Sequence, residues 1–247
     1  MTKKTWIIFA CLVVAFIGGL IFLSKGEKID VSSIDAATVQ GPSEKNGQIG
    51  DHVLGKADSK VLLFEYADYQ CPGCAQSAPV IKQVAEKYKD KIGFVFRNFP
   101  IPSLHPNARA AAAAAEAAGL QNKYWEMHDV LFANQSAWQG LNANERAQTF
   151  TEYAVNLGLD KEKFAKDMTS QAVSKKIDFD QAIGKSRGVT GTPSLFINGK
   201  KVDQHVKDGK IVPAARDTTP IYASPDDLIK LILMPEFKKA GIEVTEE

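Results

Sequence analysis

Two cysteines, Cys71 and Cys74, are the side chains whose type and spacing most clearly predict covalent chemistry. A C-x-x-C pair brings two thiols within reach of each other, and the pair can exchange two electrons by forming and breaking a disulfide. The chain has 247 residues and only three cysteines, and the third, Cys11, lies in an apolar run. A secreted scaffold held together by disulfides would carry more cysteines, spread along the chain. The pair is therefore redox-active or metal-binding.

Zinc is the main alternative ligand for this pair. A structural zinc site takes four ligands, commonly two C-x-x-C pairs or one pair with nearby histidines. The histidines are scattered along the chain without ligand spacing, at His52, His105, His128 and His205. A redox-active dithiol is therefore favoured, with no metal expected and no organic cofactor, because the two sulfurs store both electrons. The net charge of +1 also argues against a protein that binds nucleic acid.

The residues around the pair predict a junction between a strand and a helix. Val61–Tyr66 is a short apolar run of the kind found in buried strands, and apolar residues recur at helical spacing after Cys74. Cys71 would then lie at the amino terminus of the helix, where unpaired N–H groups and the macrodipole favour a thiolate. Pro72 suits the first helical position because it has no N–H. Gly73 leaves space for another chain, so Pro72 and Gly73 are candidate substrate contacts.

The remaining patterns predict an α/β domain that is interrupted by helices. A second strand at Ile92–Asn98 completes a β-α-β unit with a parallel pair of strands. Residues 103–187 contain no convincing strand, and an alanine-rich stretch near their start predicts a block of helices. A hairpin turn at Asn198-Gly199 and a last helix through Leu233 follow. Residues 203–222 have no regular pattern and are expected to form an extended loop.

The amino terminus carries an apolar run from Trp6 to Leu23 that contains no charged residue. This length is sufficient to cross a bilayer and exceeds the ~7–15-residue core of a cleaved signal. We therefore expect an uncleaved membrane anchor over 6–23, with a cleaved signal as the alternative and Cys11 as an ordinary residue of the membrane helix. Two lysines flank the run on each side, so their charges do not determine the orientation. The thiol chemistry favours a domain outside the cytoplasm.

Four stretches of the sequence match a known family in its chain order. They are VLLFEYADYQCPGC, FVFRNFPIPSLHPNARAAAAAAEAAG, YWEMHDVLF and GVTGTPSLFING. Together they resemble the DsbA-like thioredoxin-fold oxidoreductases, especially the membrane-anchored or secreted BdbD-type group, over roughly residues 51–199. The resemblance implies a thioredoxin fold with an inserted all-helical domain. The expected divisions are a short segment 1–5, a transmembrane anchor 6–23, a linker 24–50, a first thioredoxin part 51–102, a helical insertion 103–187 and a second thioredoxin part 188–247.

The resemblance also implies roles for three residues outside the cysteine pair. Pro193 matches the family's cis-proline, which packs beside the active-site disulfide. Thr192, directly before it, would offer its backbone to an extended substrate segment, as in strand addition. Glu65 matches a buried acidic residue that moves a proton to or from the inner thiol, Cys74. The alternative for Glu65 is a carboxylate in solvent at the end of a strand.

The implied activity is thiol–disulfide exchange on reduced or unfolded secreted proteins. A substrate thiolate would attack the sulfur of Cys71, and a second substrate thiolate would resolve the mixed disulfide. An oxidase would need re-oxidation, for which the family implies a quinone-linked membrane partner of the DsbB or VKOR kind. We expect a single-pass protein of the cell membrane with its catalytic domain outside the cytoplasm. A reductase, an isomerase and a redox-inactive binding or chaperone module on the same fold are the alternatives.

Overall fold

The computed structural model describes Trp6, Val13, residues 29–202 and residues 205–244. Apart from Trp6 and Val13, the expected anchor over 6–23 lies outside the described residues. No helix in the described part of the chain is long and apolar enough to cross a bilayer. The chain divides into two units, residues 1–30 and residues 31–247, and every element named below belongs to the second.

A five-stranded sheet forms the centre of this unit, with the strand order β1-β3-β2-β4-β5. The strands are β1 (Val53–Gly55), β2 (Leu62–Ala67), β3 (Gly93–Asn98), β4 (Ser194–Ile197) and β5 (Lys200–Val202). Strands β2 and β3 are parallel and the other pairs are antiparallel. Helix α1 (Pro72–Lys87) connects the two parallel strands. The predicted β-α-β unit is therefore present.

The apolar character of β2 and β3 reflects burial on both faces of the sheet. All six residues of β3 and five of the six in β2 are buried. Central parallel strands that are covered on both sides read as continuous apolar runs rather than alternating ones. Helix α1 covers one face with Cys74, Ile81 and Val84, which recur at helical spacing and are fully buried. Packing of α1 against the sheet thus draws Cys74 into the core.

The insertion consists of six helices. They are α2 (Ala108–Gly119), α3 (Tyr124–Ala133), α4 (Gln135–Trp138), α5 (Ala143–Asn156), α6 (Lys161–Met168) and α7 (Gln171–Ser186). Nine of the twelve residues of α2 are buried, and its alanines let α3, α6 and α7 approach it closely. The sequence predicted a block of helices over 103–187 but did not delimit α7 within it. Its buried face includes Lys176, Asp180 and Gly184, which weaken the apolar periodicity by which a helix is recognised.

The last part of the chain contains more regular structure than the sequence indicated. A second, antiparallel sheet of order β7-β6-β8 occupies part of the segment expected to be a loop. Its strands are β6 (His205–Lys207), β7 (Lys210–Val212) and β8 (Thr219–Pro220), which are too short to show a period of two. The final helix begins with α8 (Pro225–Asp227), widens into a π-helical stretch (Leu228–Leu233) and continues as α9 (Met234–Ala240). The helix therefore ends at Ala240, beyond the predicted end at Leu233.

Residues 31–50, predicted as a linker, pack against the sheet. Asn46 is fully buried and Ile49 is almost so. The Arg97 guanidinium, on β3, donates to the carbonyl oxygens of Ala36 at 2.8 Å and Thr38 at 2.9 Å. Because these contacts use backbone carbonyls, the polar composition of the segment did not reveal them.

A buried network of charges joins this segment to the sheet and to the insertion. The Asp51 carboxylate accepts from Arg97 Nη2 at 2.7 Å and from Lys176 Nζ at 2.9 Å, and Lys176 also donates to Asp180 at 2.6 Å. All four side chains are at most 1% exposed. Burial alone would raise the pKa of Asp51, but Lys176 and Arg97 together hold that pKa well below its usual range. These ionised side chains therefore connect Asp51 with β3 of the sheet and with α7 of the insertion.

Candidate active site

The two cysteines lie where β2 passes into α1. Cys71 is the N-cap of α1, with φ −71° and ψ 124°, and Cys74 lies one turn inside the helix. Both are free thiols; Cys71 is 8% exposed and Cys74 is fully buried. Pro72 occupies the start of the helix, where a missing N–H leaves nothing unpaired, and it is exposed. One sulfur thus borders the surface while the other lies in the core.

The surroundings of Cys71 favour its thiolate. The largest influence on the pKa of Cys71 is a hydrogen bond from the Cys74 thiol, which lowers it. Burial raises this pKa, whereas the Thr192 side chain and the N–H groups of Gly73 and Cys74 lower it further. Together these influences bring the pKa of Cys71 down to about 5. In its protonated form the Cys71 thiol donates to the carbonyl oxygen of Thr192 at 3.4 Å. That bond is lost on ionisation, so the helix N–H groups and the Cys74 thiol are what stabilise the anion.

Cys74 has the opposite character. Burial raises the pKa of the Cys74 thiol well above its usual range, and the hydrogen bond to Cys71 and the charge of Glu65 raise it further. A buried thiol of this kind is a poor nucleophile toward external reagents. It is also a poor leaving group unless it receives a proton as its bond breaks. The two sulfurs are therefore suited to different steps of an exchange reaction.

The segment before β4 lies beside the Cys71 sulfur. The peptide bond between Thr192 and Pro193 is cis. A Cβ built on Gly73 would lie 3.5 Å from Pro193 Cδ and 3.8 Å from Cys71 Sγ, at ordinary van der Waals distance, so Gly73 lies beside both residues. Gly73, Thr192 and Pro193 are all partly exposed. The structure therefore places the three predicted substrate contacts, Pro72, Gly73 and Thr192, around the outer sulfur together with Pro193.

Glu65 lies inside the protein beneath α1 rather than in solvent. Its side chain on β2 is buried, and the Ser77 hydroxyl donates both to Glu65 Oε1 at 3.4 Å and to the carbonyl oxygen of Cys74 at 3.1 Å. The other oxygen, Oε2, has no hydrogen-bond partner among the described residues. Burial, with a contribution from the charge of Cys71, raises the pKa of Glu65 to about 8, against the hydrogen bond from Ser77. The carboxyl group is thus mostly protonated at neutral pH.

Two polar residues, Asp68 and Gln135, hold the turn before Cys71, and the sequence did not indicate this role for either of them. The Asp68 carboxylate accepts from the N–H groups of Gln70 at 2.8 Å and Ile101 at 2.9 Å, and it pairs with His105 Nδ1 at 2.8 Å. Gln135, on α4 of the insertion, donates to backbone carbonyls of this turn. Asp68 lies within the stretch VLLFEYADYQCPGC that carries the resemblance, but residue type alone does not indicate its role. Gln135 gave no signal, because its partners are backbone atoms far away in the sequence.

The described residues contain no group of three His, Cys, Asp or Glu side chains that could hold a metal ion. A cleft of about 730 Å³ is lined mainly by α5, including Ala147, Thr151 and Val155. It contains none of the predicted site residues. The cysteine pair and the residues around it are therefore the candidate active site.

Curated relatives match only part of their own length to this chain. A Na⁺/H⁺ antiporter of Salinispora tropica is 35% identical over 151 residues, which are 61% of this chain and 22% of the antiporter. A second antiporter, from Mycolicibacterium gilvum, is 36% identical over 155 residues, or 61% of this chain and 24% of the antiporter. The chain thus spans less than a quarter of the length of these relatives.

Three solved structures share the fold. Oxidised BdbD from Bacillus subtilis superimposes with a TM-score of 0.59 at 21% identity, over 83% of this chain and all of BdbD. Alpha-DsbA1 from Wolbachia pipientis gives 0.60 at 22% identity, over 77% and 92% of the two chains. DsbA2 from Pseudomonas aeruginosa gives 0.52 at 25% identity, over 75% and 94%.

The sequence model described as thioredoxin matches residues 47–213, which include both cysteines, Glu65, Thr192 and Pro193. The expected thioredoxin fold, carrying helices between its two parts, is confirmed, as is the resemblance to DsbA-like thiol–disulfide oxidoreductases. On this match, the chain belongs to the thioredoxin family.

Proposed function

We propose that this protein is an oxidase that forms disulfides in reduced or unfolded proteins outside the cytoplasm. The observation that carries the proposal is the environment of Cys71, whose thiolate is stabilised by the helix N–H groups and by the Cys74 thiol. Stabilising the thiolate stabilises the reduced protein relative to its disulfide form. The disulfide is then a strong oxidant, because the driving force for its reduction is larger.

The proposed reaction proceeds through a mixed disulfide. A substrate thiolate attacks Cys71 Sγ of the oxidised pair, the Cys71–Cys74 bond breaks, and its electron pair goes to Cys74, which takes up a proton. A second substrate thiolate then attacks the substrate sulfur of the mixed disulfide, and Cys71 leaves as a stable thiolate. The substrate loses two electrons and gains a disulfide, while the protein becomes the dithiol. Thr192 and Pro193, with Pro72 and Gly73 opposite, would position the substrate segment at Cys71.

Glu65 is the proposed source of the proton that Cys74 needs. A carboxyl group with a pKa of about 8 is largely protonated at pH 7 and regains its proton readily. We expect Glu65→Gln to slow substrate oxidation at pH 7 by about tenfold, a modest general-acid effect. The variant should also lose the rate dependence near pH 8, measured by stopped-flow fluorescence with a cysteine-containing peptide. An unchanged pH profile would remove Glu65 from the mechanism.

Glu65→Gln should also change how the folding stability depends on pH. The pKa of Glu65 is about 8 in the folded protein and 4.5 in an ordinary glutamate. Between these values the unfolded chain binds fewer protons than the folded one, so stability falls as pH rises through this window. Glu65→Gln should remove that fall, which urea unfolding at pH 5 and pH 8 will measure. Equal pH dependence in the two proteins would contradict the buried, protonated carboxyl group.

The proposal extends to the partner and the location of the enzyme. Continued turnover requires an oxidant for the reduced pair, which we propose to be a quinone-linked membrane protein of the DsbB or VKOR kind. An anchor over residues 6–23 would keep the domain close to that partner, outside the cytoplasm. A reductase or a redox-inactive module would share the fold but not the oxidising potential expected of an oxidase.

The reduction potential of the cysteine pair tests this function directly. We expect equilibration with glutathione to give a value above the cytosolic glutathione poise, near that of strong oxidases. Because Cys71 is already ionised above a pKa of about 5, reduction near neutral pH takes up one proton, and the potential should fall by only about 30 mV per pH unit. Below that pKa the slope should approach about 60 mV. A potential at or below the glutathione poise would indicate a reductase.

A further inference from the structure

The backbone around the nucleophile is held by a side chain of the helical insertion. Gln135 Nε2, on α4, donates to the carbonyl oxygen of Tyr69 at 2.8 Å and to that of Cys71 at 3.0 Å. Gln135 is buried, with 9% of its surface exposed. One amide group therefore satisfies two buried carbonyls that lie on either side of Gln70.

A second set of amides fixes α4 and the residues after it relative to the same turn. Gln70 Oε1 accepts from the N–H of Asn107 at 2.7 Å, and Gln70 Nε2 donates to the carbonyl oxygen of Gln139 at 2.9 Å. The Asn107 side chain also donates to the Gln139 carbonyl at 3.1 Å and to that of Leu141 at 2.9 Å. The end of α4 is thus tied to the turn independently of Gln135, so that Gln135 is held at a set distance from Cys71.

The Cys71 carbonyl connects these contacts to the reactive sulfur. It accepts from Ala75 N at 3.1 Å, the first hydrogen bond of α1, as well as from Gln135. Two donors on one carbonyl oxygen fix the plane of the peptide group that joins Cys71 to Pro72. That plane sets how Cys71 Sγ meets the N–H groups of Gly73 and Cys74, which point out of the first turn.

We propose that Gln135 is a positioning residue, which holds Cys71 where the first turn of α1 stabilises its thiolate. Without the amide, the Tyr69 carbonyl loses its side-chain donor and the Cys71 carbonyl keeps only Ala75. A buried, unpaired carbonyl is unfavourable, so the turn rotates toward another donor and the sulfur moves away from the N–H groups. The helical insertion thereby tunes the reactivity of a cysteine that belongs to the thioredoxin part of the chain.

The inference rests on the proposed role of Cys71 as the nucleophile, and its test compares variants with the parent protein. Gln135→Met keeps the length and apolar packing of the side chain and removes the donors, and Gln135→Leu is the second variant should the first fail to fold. Gln148→Ala is the control, because Gln148 is an exposed glutamine of the insertion whose side chain bonds, within the described part of the chain, only to Glu152. The Cys71 thiolate is followed by its absorbance at 240 nm against pH, and the pair is equilibrated with glutathione.

We expect Gln135→Met to move the Cys71 titration about one pH unit higher, a tenfold weaker stabilisation of the thiolate. The equilibrium constant for oxidation of glutathione should fall about tenfold, which is about 30 mV for two electrons. Alkylation of Cys71 should be about threefold slower than in the parent at pH 4, where a smaller fraction of the variant thiol is ionised. At pH 9, where Cys71 is ionised in both proteins, it should be about threefold faster, because the less stabilised thiolate is the better nucleophile. Gln148→Ala should match the parent throughout.

A loss of stability alone does not support the inference. Gln135→Met with an unchanged thiolate titration and potential would overturn it and leave Gln135 a structural residue of the insertion. An equal shift in Gln148→Ala would overturn it too, since the effect would then not be specific to the carbonyl contacts. A low potential of the parent would instead count against the oxidase, and the difference between variant and parent would still decide the role of Gln135.

Discussion

Replacing Cys71 by serine will abolish thiol–disulfide exchange, and replacing Cys74 by serine will trap a mixed disulfide. The difference follows from the positions of the two sulfurs. Cys71 borders the surface at the N-cap of α1, whereas Cys74 is fully buried. Without Cys71, no accessible sulfur remains at the site to be attacked. With Cys71 alone, a substrate can be joined to the protein, but no second sulfur is present to release it.

The low pKa of Cys71 sets how much faster it should react than an ordinary thiol. A pKa of about 5 leaves about nine tenths of Cys71 ionised at pH 6, against a few thousandths of an ordinary thiol. The low pKa also weakens the intrinsic nucleophilicity of the sulfur by roughly 40-fold, so a net advantage of roughly tenfold remains. Cys74→Ser should lose some of this advantage, because the hydrogen bond from the Cys74 thiol is the largest stabilising influence on the thiolate.

Two measurements check this prediction. Insulin reduction and refolding of a reduced disulfide protein should fall to background for Cys71→Ser. For Cys74→Ser, the peptide is supplied as a disulfide: the Cys71 thiolate attacks one of its sulfurs, and the other sulfur leaves as a thiolate. Mass spectrometry should then find a covalent adduct that added dithiothreitol releases. Adduct formation by Cys71→Ser at a rate similar to that of Cys74→Ser would reverse the assignment of the two roles. Absence of both activities in the parent as well as in the two variants would instead support a redox-inactive binding module.

Replacing Asp51 by asparagine will destabilise the fold by about 3–5 kcal/mol, the range observed when one partner of a buried ion pair is removed. The Asp51 carboxylate lies between Arg97 and Lys176 with no exposed surface. The substitution keeps the shape of the side chain but leaves two buried cations with one anion fewer. The neutral amide also presents a donor where both neighbours are donors.

Urea unfolding of the reduced protein at pH 7 will measure the effect, with Asp178→Asn as the matched control. Asp178 also pairs with an arginine, Arg109, at 2.7 Å, but the two side chains are 46% and 39% exposed. An exposed pair of this kind contributes less than about 1 kcal/mol. Similar losses in the two variants would mean that burial does not govern the strength of these interactions in this protein.

The Asp51 effect should also depend on pH with a definite sign. The pKa of Asp51 is lower in the folded protein than the 3.8 of an ordinary aspartate. Its contribution to stability is therefore present above that value and is lost as pH falls below it. The difference between the parent and Asp51→Asn should accordingly shrink in acid.

The location of the chemistry could be predicted from the sequence because it depends on local patterns. A C-x-x-C pair after an apolar run and before a helical period indicates one strand, one turn and one helix, and Pro72 marks the start of that helix. The parallel pairing of β2 and β3 follows from the same local order, since a strand, a helix and a strand in about forty residues leave few other arrangements. The family motif then connected Thr192 and Pro193, far away in the chain, to the same site.

Other features of the fold could not be predicted, and each has a physical reason. The bounds of helix α7 within the predicted helical block could not be recognised, because its buried face includes Lys176 and Asp180, charges that appear solvent-exposed until their partners are known. The arm over 31–50 resembled a linker because its contacts to Arg97 use backbone carbonyls. Strands of two or three residues, such as those of the second sheet, are too short for a periodicity to be recognised.

The sequence by itself determined which sulfurs react and which elements carry them, because residue type, spacing and amphipathic period act over one or two turns of chain. Only the tertiary structure decided how unequal the two sulfurs are. The burial of Cys74, the carboxyl group of Glu65 beneath the helix and the hold of Gln135 on the Cys71 carbonyl all arise from residues brought together by packing. A pKa depends on burial, on nearby charges and on hydrogen bonds, and these are properties of neighbours in space rather than in sequence.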